Sequence, residues 1–264
     1  MGETIDYVAN FDPEWYLSTY YNSIEGEEEE GDFCTFMHEF FHNSFLKRNI
    51  SSENLLDIGT GPNISTILTS SRYISKIDLS DFTPANLEIL NDWKKGKREL
   101  VIEIMKYEME KHGDTRNMKT RCEELRNKVC NIFRVDVNDP ELFIGACPEQ
   151  DSKYDMISST LCLEAATQSK VQYLAAVKNI SKKLKSGGYF LIAGVLEQNF
   201  YRVGNYKFSC AYLTKDDIQE IFIKCNYDIL EMKSFNESQS AAKEPHDCFF
   251  SGFKDAFAML AQYK

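Results

Sequence analysis

The run Leu55-Leu56-Asp57-Ile58-Gly59-Thr60-Gly61-Pro62 is the stretch of this chain best equipped for chemistry. An apolar segment ends in a carboxylate, a Gly-x-Gly turn follows, and a proline stands where a helix can open. Glycines let the backbone approach a ligand closely, and the first N–H groups of a helix lack intrahelical partners, so such a turn suits a nucleoside cofactor. A dinucleotide fingerprint would continue to a third glycine, where this chain has Ile64. A carboxylate two residues before the first glycine fits S-adenosylmethionine better, a cofactor with no pyrophosphate. Asp57 and the nearby backbone can face its ammonium and polar edges. Further carboxylates fall at the ends of later strands. Asp78 or Asp81 can accept both ribose hydroxyls as an ionised group, and Asp136 can receive an adenine amino group.

A second constellation invites metal chemistry. His38-Glu39-Phe40-Phe41-His42 matches the H-E-x-x-H pattern, in which two histidines one turn apart hold zinc and the glutamate activates water. Catalytic zinc needs a third protein ligand. No H-x-x-G-x-x-H extension follows, and only His112 and His246 remain elsewhere. The interleaved phenylalanines make this a core helix with its histidines on the polar side, and no metal is expected.

The elements that must position these groups follow from periodicity. Asp12-Pro13 opens a helix carrying Tyr16 and Tyr20 on one face with Tyr21 alongside; spacing alone favours packing over ligand contact. The acidic run 25–32 reads as a solvated loop, and Phe36, Met37, Phe40, Phe41 and Phe45 place a helix over 33–46. Strands are expected at 54–57, 73–79, 131–135, 154–158, 189–195, 227–232 and 256–261. The interval 83–129 is helical, with a charged elaboration over 94–129, and Leu184-Lys185-Ser186-Gly187-Gly188 reads as a helix ending in glycines. Alternating strands and helices indicate an α/β fold with a mainly parallel sheet.

With 264 residues, 43% of them hydrophobic, the chain can bury one sizeable core. Its net charge of −11, unrelieved by any basic stripe, argues against a nucleic-acid partner. The longest apolar stretch, 189–196, is too short to span a bilayer. The N-terminus lacks the basic and apolar regions of a signal peptide, and Asp6 spoils the myristoylation pattern. Eight cysteines without a Cys-x-x-Cys pair then read as free thiols. A cytoplasmic protein with no membrane association is expected.

With these residues in view, the chain resembles the methyltransferase family of the nicotinamide, phenylethanolamine and thioether/indolethylamine N-methyltransferases. Four blocks carry the resemblance: Phe11-Asp12-Pro13 through Tyr20-Tyr21; Leu55 through Pro62, continuing to Ser80-Asp81-Phe82-Thr83 and Asn86; Ser159-Thr160-Leu161-Cys162-Leu163-Glu164-Ala165-Ala166; and Leu184 through Phe208-Ser209, with Tyr201, Val203-Gly204 and Lys207. It implies a Rossmann-like S-adenosylmethionine-dependent fold, a mostly parallel seven-stranded sheet flanked by helices. One domain would span 1–264, with an N-terminal helical lid over 1–50 and a core over 54–264. The product would be S-adenosylhomocysteine, and a monomer is expected. By the same resemblance Tyr16 and Tyr21 touch the methionine end, Gly59 and Gly61 form the turn beneath it, and Asp81 rather than Asp78 takes the ribose, with Asn86 close by. Asp136 and Val137 frame the adenine, and Thr160 lies beside the methionine carboxylate. The family often has a tyrosine where this chain has Ser65.

The reaction so implied is in-line attack by a nitrogen lone pair on a sulfonium methyl. Alignment of this kind supplies on the order of 7–11 kcal/mol of barrier reduction. A pyridine nitrogen needs no base, whereas a primary amine arrives protonated and must lose a proton first. Glu164 stands where the phenylethanolamine enzyme has a carboxylate near the amine, and nicotinamide-specific members have a shorter aspartate there. Those members also carry an aspartate at the position of Gly194 and a serine at that of Cys210, the two groups that hold the carboxamide; by the resemblance Gly194 and Cys210 would touch the acceptor, and the loss of both groups argues against nicotinamide as the preferred one. Gln198 replaces a second carboxylate of the phenylethanolamine enzyme, and Cys210 matches the indolethylamine branch. Tyr20 and Tyr201 would wall a flat or cationic acceptor. Glu164 reads equally well as a catalytic base or as a helix N-terminal residue favoured by the dipole. The segment 234–255 would close the acceptor pocket, with Asp247 and Asp255 as further amine partners. The reading is an N-methyltransferase of a small amine. Its alternatives are nicotinamide or another pyridine as acceptor, and a protein that binds cofactor or amine without turnover.

Overall fold

Strand β1 (Ser52–Ile58) alternates between two apolar layers: Leu55 points into one, and Leu56 and Ile58 into the other. A strand buried on both faces belongs at the middle of a sheet covered by helices on each side. The computed structural model describes residues 6–21, 29–145, 152–238 and 253–264.

Three helices precede β1: α1 (Tyr7–Asn10), α2 (Pro13–Tyr20) and α3 (Glu29–Arg48). After it come α4 (Ser65–Leu68), β2 (Ile74–Asp81), α5 (Pro84–Lys94), α6 (Ile102–Lys111), α7 (Met118–Lys128) and β3 (Val129–Arg134). The second half holds β4 (Tyr154–Thr160), α8 (Leu163–Ala166), α9 (Lys170–Ser181), β5 (Leu184–Leu196), β6 (Phe200–Val203), β7 (Tyr206–Ser209), α10 (Lys215–Lys224), β8 (Tyr227–Ser234), α11 (Phe235–Ser238) and β9 (Asp255–Tyr263). Seven strands form one sheet in the order β3-β2-β1-β4-β5-β9-β8, and β6 and β7 make a separate hairpin. Strands β3, β2, β1, β4 and β5 run parallel, while β9 runs antiparallel to both its neighbours. The strand order reverses between β1 and β4, which opens a crevice at their carboxyl ends.

All seven expected strands are present, and three local expectations change. The segment 184–188 is no helix end. Helix α9 stops at Ser181, and these residues enter β5 as a bulge, because Leu184 pairs with Tyr154 while Tyr189 pairs with Met156. A Cβ on Gly188 would lie 2.9 Å from the Lys185 carbonyl oxygen, so the glycine serves close backbone packing. The acidic run is not wholly a loop: α3 already begins at Glu29, and residues 25–28 lie outside the described residues. His38 is not on a polar face. It is buried, with Nδ1 2.9 Å from Thr69 Oγ1.

The charged elaboration packs through an internal ion network. Arg72 donates two hydrogen bonds to the buried Glu108, from Nε at 2.5 Å and Nη2 at 2.8 Å. Arg121, wholly buried on α7, donates from Nη2 to Leu68 O and Ser71 Oγ, each at 2.7 Å. It thereby satisfies a carbonyl at the end of the short α4. The six described cysteines are all unpaired. Among the described residues no helix is long and apolar enough to cross a membrane.

Candidate active site

The glycine turn is shaped by backbone geometry. Gly59 and Gly61 have φ of +69° and +71°, a region where a side chain is strained. A Cβ on Gly59 would also fall 2.1 Å from Cys162 Sγ, so the loop after β4 lies directly on the turn. Asp57 holds this arrangement from beneath, contrary to the expectation that it faces a ligand. Its Oδ2 accepts the Thr60 hydroxyl at 2.8 Å and the Thr66 hydroxyl at 3.1 Å, and its Oδ1 accepts the Ser158 hydroxyl at 2.5 Å. With three hydroxyl donors in a fully buried pocket, the carboxylate ties β1, β4, the turn and α4 together. Burial pushes its carboxyl up to about 6.

Asp81 and Asp78 are separated by what each touches. Asp78 accepts from Asn131 N at 3.0 Å, Asn131 Nδ2 at 2.9 Å and the Tyr154 hydroxyl at 2.8 Å, stitching β2 to β3 and β4. Asp81 lines the crevice. Its Oδ2 accepts the Gly61 N–H at 2.8 Å, and its Oδ1 accepts Thr83 N at 2.8 Å and Asn86 Nδ2 at 3.1 Å. Burial raises its carboxyl above the ordinary value.

The crevice is a cavity of about 720 Å³, within the range of small-molecule sites. Gly59, Gly61, Asn86, Asp136, Val137 and Thr160 line it along the strand ends. Asp136 is fixed by an Asx turn, its Oδ1 accepting Asn138 N at 2.9 Å. Ser65 also lines it, donating its hydroxyl to Asn63 Oδ1 at 2.6 Å; the same amide engages Tyr21.

Tyr16, Tyr20 and Tyr21 form the opposite wall, against the expectation from spacing alone that they only pack. Asp12 caps α2 by accepting from Glu14 N and Trp15 N, and Pro13 opens it. The hydroxyls of Tyr16 and Tyr21 lie 3.5 Å apart, and Tyr20 donates to Arg202 O at 2.9 Å, which fastens α2 to the β6–β7 hairpin. Tyr201 lines the cavity from that hairpin, and its hydroxyl bonds that of Tyr7. Tyr7, Phe11 and Phe208 complete this aromatic wall; Phe11 and Phe208 carried the resemblance but had no role assigned, and Tyr7 escaped the sequence reading. The signal for Phe208 was the short alternation over 200–209, too brief to read as a hairpin beside a longer strand.

Glu164 sits in the first turn of α8 on the cavity wall. Its Oε1 accepts the Val195 N–H at 3.2 Å, and burial pushes its carboxyl up to about 7. The buried Tyr16 phenol feels the charges of both Asp81 and Glu164. Gly194 and Cys210, expected to touch the acceptor, do not line the cavity. Gly194 lies behind Glu164, and Cys210 donates its thiol to Gln198 Oε1 at 3.5 Å, so Gln198 is the residue that reaches the cavity. Asp255 also faces elsewhere, accepting from Asn236 N and Ala256 N at a turn; Asp247 lies outside the described residues. The remaining histidine of the zinc-like motif, His42, has Nδ1 3.0 Å from the Tyr73 hydroxyl. Among the described residues no group of three or more His, Cys, Asp or Glu could hold a metal ion.

The donor and acceptor set fits S-adenosylmethionine. Thr160 Oγ1 and Asn86 Oδ1 are buried at the cavity without a partner, and such atoms call for a polar ligand. Comparison with known proteins agrees. The rabbit (Oryctolagus cuniculus) indolethylamine N-methyltransferase is 30% identical over 91% of this chain and 91% of its own length. The human nicotinamide N-methyltransferase is 26% identical over 93% and 92%. A crystal structure of an S-adenosylmethionine-dependent methyltransferase from Methanosarcina mazei superposes with a TM-score of 0.54, at 11% identity over 83% of this chain and 96% of that one. The NNMT/PNMT/TEMT family model matches residues 1–253. The chain belongs to the NNMT/PNMT/TEMT family of S-adenosylmethionine-dependent N-methyltransferases.

Proposed function

We propose that this N-methyltransferase acts on a small amine and that Glu164 takes up the amine's proton. One observation carries the reading: a carboxylate on the wall of an aromatic cavity, held by Val195 N–H and raised to about 7 by burial. A general base works best when its pKa lies near the working pH. The bound cofactor supplies an electrophilic methyl on a sulfonium. The amine gives its proton to Glu164, its freed lone pair forms the new N–C bond, and the C–S pair leaves with sulfur as a neutral thioether. The proton then passes to water.

The other residues divide the binding work. Asp81, with Asn86, would hold the ribose; Asp136 and Val137 the adenine; Thr160, Tyr16, Tyr21 and the Gly59–Gly61 turn the methionine end. Tyr20 and Tyr201 would enclose the acceptor, and Gln198 would stand beside it with a polar amide. The N-terminal lid over 1–50 would include α1 and α2, latched by Tyr20 to the hairpin. One continuous sheet supports treating 1–264 as a single domain, and action as a monomer belongs to the same reading.

The test is methyl transfer from labelled S-adenosylmethionine to nicotinamide, quinoline, tryptamine, phenylethanolamine and simple aliphatic amines across neutral to alkaline pH. Amines should be preferred, with kcat/KM rising through about pH 7, and Glu164→Gln should slow amines by about 10²-fold while sparing pyridines. Preference for nicotinamide, or equal slowing of both classes, would remove the base.

A further inference from the structure

The glycines of this chain divide by the reason each is needed. Gly59 and Gly61 are required by their backbones. Gly194 is not: it lies in the interior of β5, paired with Phe257 of β9, and its φ is outside the left-handed region. Glycine in a strand interior is destabilising, and it commonly marks a place where another group approaches the backbone. Here that group is Glu164. A Cβ on residue 194 would lie 2.9 Å from Glu164 Oε1 and 3.2 Å from Oε2, with the Phe257 ring 3.1 Å away. Both carboxylate oxygens occupy the volume a side chain would fill. The next residue along the strand, Val195, supplies the N–H that Oε1 accepts.

We propose that Gly194 is a positioning residue that sets the acceptor class: its bare Cα is the berth in which the Glu164 carboxylate lies retracted against β5, leaving the cavity free for an amine that still has a proton to give. The inference rests on the proposed role of Glu164 as base. A side chain at 194 cannot share the berth. Phe257 blocks it on the other side, so the carboxylate must swing toward the cavity, lose the Val195 N–H and fill the place of the acceptor nitrogen. An acceptor whose nitrogen is already unprotonated gains nothing from a carboxylate so placed. The pairing of a long residue at 164 with no side chain at 194 is therefore one device, and the two positions should respond to mutation together.

The experiment compares Gly194→Ala, Glu164→Asp and the double variant. Gly194→Ala should lower kcat/KM for a preferred amine by about 10²-fold and displace the acidic limb of its pH profile, while cofactor affinity by calorimetry stays within about twofold. Aspartate is one methylene shorter, so the double variant should recover at least about tenfold over Gly194→Ala alone. Losses that simply multiply, or an alanine variant with wild-type pH profile and acceptor KM, would overturn the proposal. If Gly194→Ala fails to fold, Glu164→Ala in the same chain must restore folding, and persistent failure counts against the berth. A readout free of turnover separates this inference from the base assignment. In a carboxyl-¹³C-glutamate sample, with Glu164 assigned by its loss in Glu164→Gln, the Glu164 titration must move in Gly194→Ala. If that titration moves but no amine is methylated by the wild type, the berth stands and the base reading fails. If the titration does not move, the berth itself is wrong.

Discussion

Asp81 Oδ2 accepts the backbone N–H of Gly61 at 2.8 Å, so the carboxylate at the end of β2 and the glycine turn after β1 are a single unit. The same carboxylate anchors Thr83 N and Asn86 Nδ2 through its other oxygen. Any ligand that binds Asp81 therefore also stiffens the turn, and loss of the carboxylate frees three donors at once.

Asp81→Ala should weaken S-adenosylmethionine binding by about 10²-fold or more, since each hydrogen bond to a charged group is worth roughly 1.5–3 kcal/mol. Asp81→Asn, which keeps an acceptor oxygen, should lose less. Calorimetry on both variants checks this, and equal affinities in wild type and alanine variant would remove Asp81 from the site.

Tyr20→Phe isolates the latch between α2 and the hairpin. The ring stays, but the hydroxyl that donates to Arg202 O is gone. A single net hydrogen bond is worth about 1 kcal/mol, so kcat/KM for the acceptor should fall by about fivefold. Hydrogen exchange of amides over residues 200–209 should quicken in parallel. Unchanged exchange would mean that the aromatic contacts of Tyr7, Phe11 and Phe208 hold the hairpin without the latch.

The sheet was legible because seven short runs of four to seven residues, rich in apolar side chains, alternate with turns and helical stretches, and a strand's periodicity survives whatever packs against it. What packs against it was not legible. Asp57 reads identically whether it meets a ligand or the hydroxyls of Thr60, Thr66 and Ser158, the last of them 101 residues away. His38 looks polar until Thr69, on a helix-turn 31 residues on, comes to its Nδ1. Gly194 and Cys210 were read as contacts because their positions matter in relatives. In this fold they sit one layer back, behind Glu164 and Gln198, and that depth depends on side-chain length rather than on spacing. For the N-terminal tyrosines spacing alone favoured packing and only the resemblance put them at the ligand: three phenols within six residues can pack anywhere, and the hairpin that receives Tyr20 holds them at the cavity.

The buried ion network should matter for stability more than for chemistry. Glu108 is fully enclosed with Arg72 on both its oxygens and Arg121 3.9 Å from Oε2. Glu108→Gln removes the carboxylate that Arg72 and Arg121 share, but Arg72 keeps Asp114 at 3.1 Å and Arg121 keeps Glu124 at 3.6 Å, so the loss should fall short of the roughly 3–5 kcal/mol of a buried pair broken outright. Denaturant melts should show that loss. Because Arg121 also ties Leu68 O at the end of α4, added cofactor should restore part of the midpoint through Ser65 and Thr66, which line the cavity from that helix.

Glu164 ties function to stability through pH. Burial raises its carboxyl from the ordinary 4.5 to about 7, so the folded chain holds a proton that the unfolded chain releases. Below about pH 4.5 both states are protonated, and the folded state has the full benefit of the neutral group. As pH rises toward about 7 the unfolded chain ionises first and folding stability falls; above that, both are ionised and the cost of a buried charge is complete. That cost is about 3 kcal/mol. Glu164→Gln removes it, so the variant should be more stable than wild type by up to about 3 kcal/mol above pH 7, the advantage shrinking toward pH 4.5. Urea titrations at several pH values measure the difference directly. A pH-independent difference would mean that Glu164 does not titrate in this range, and the base proposed for the amine would lose its physical footing along with it.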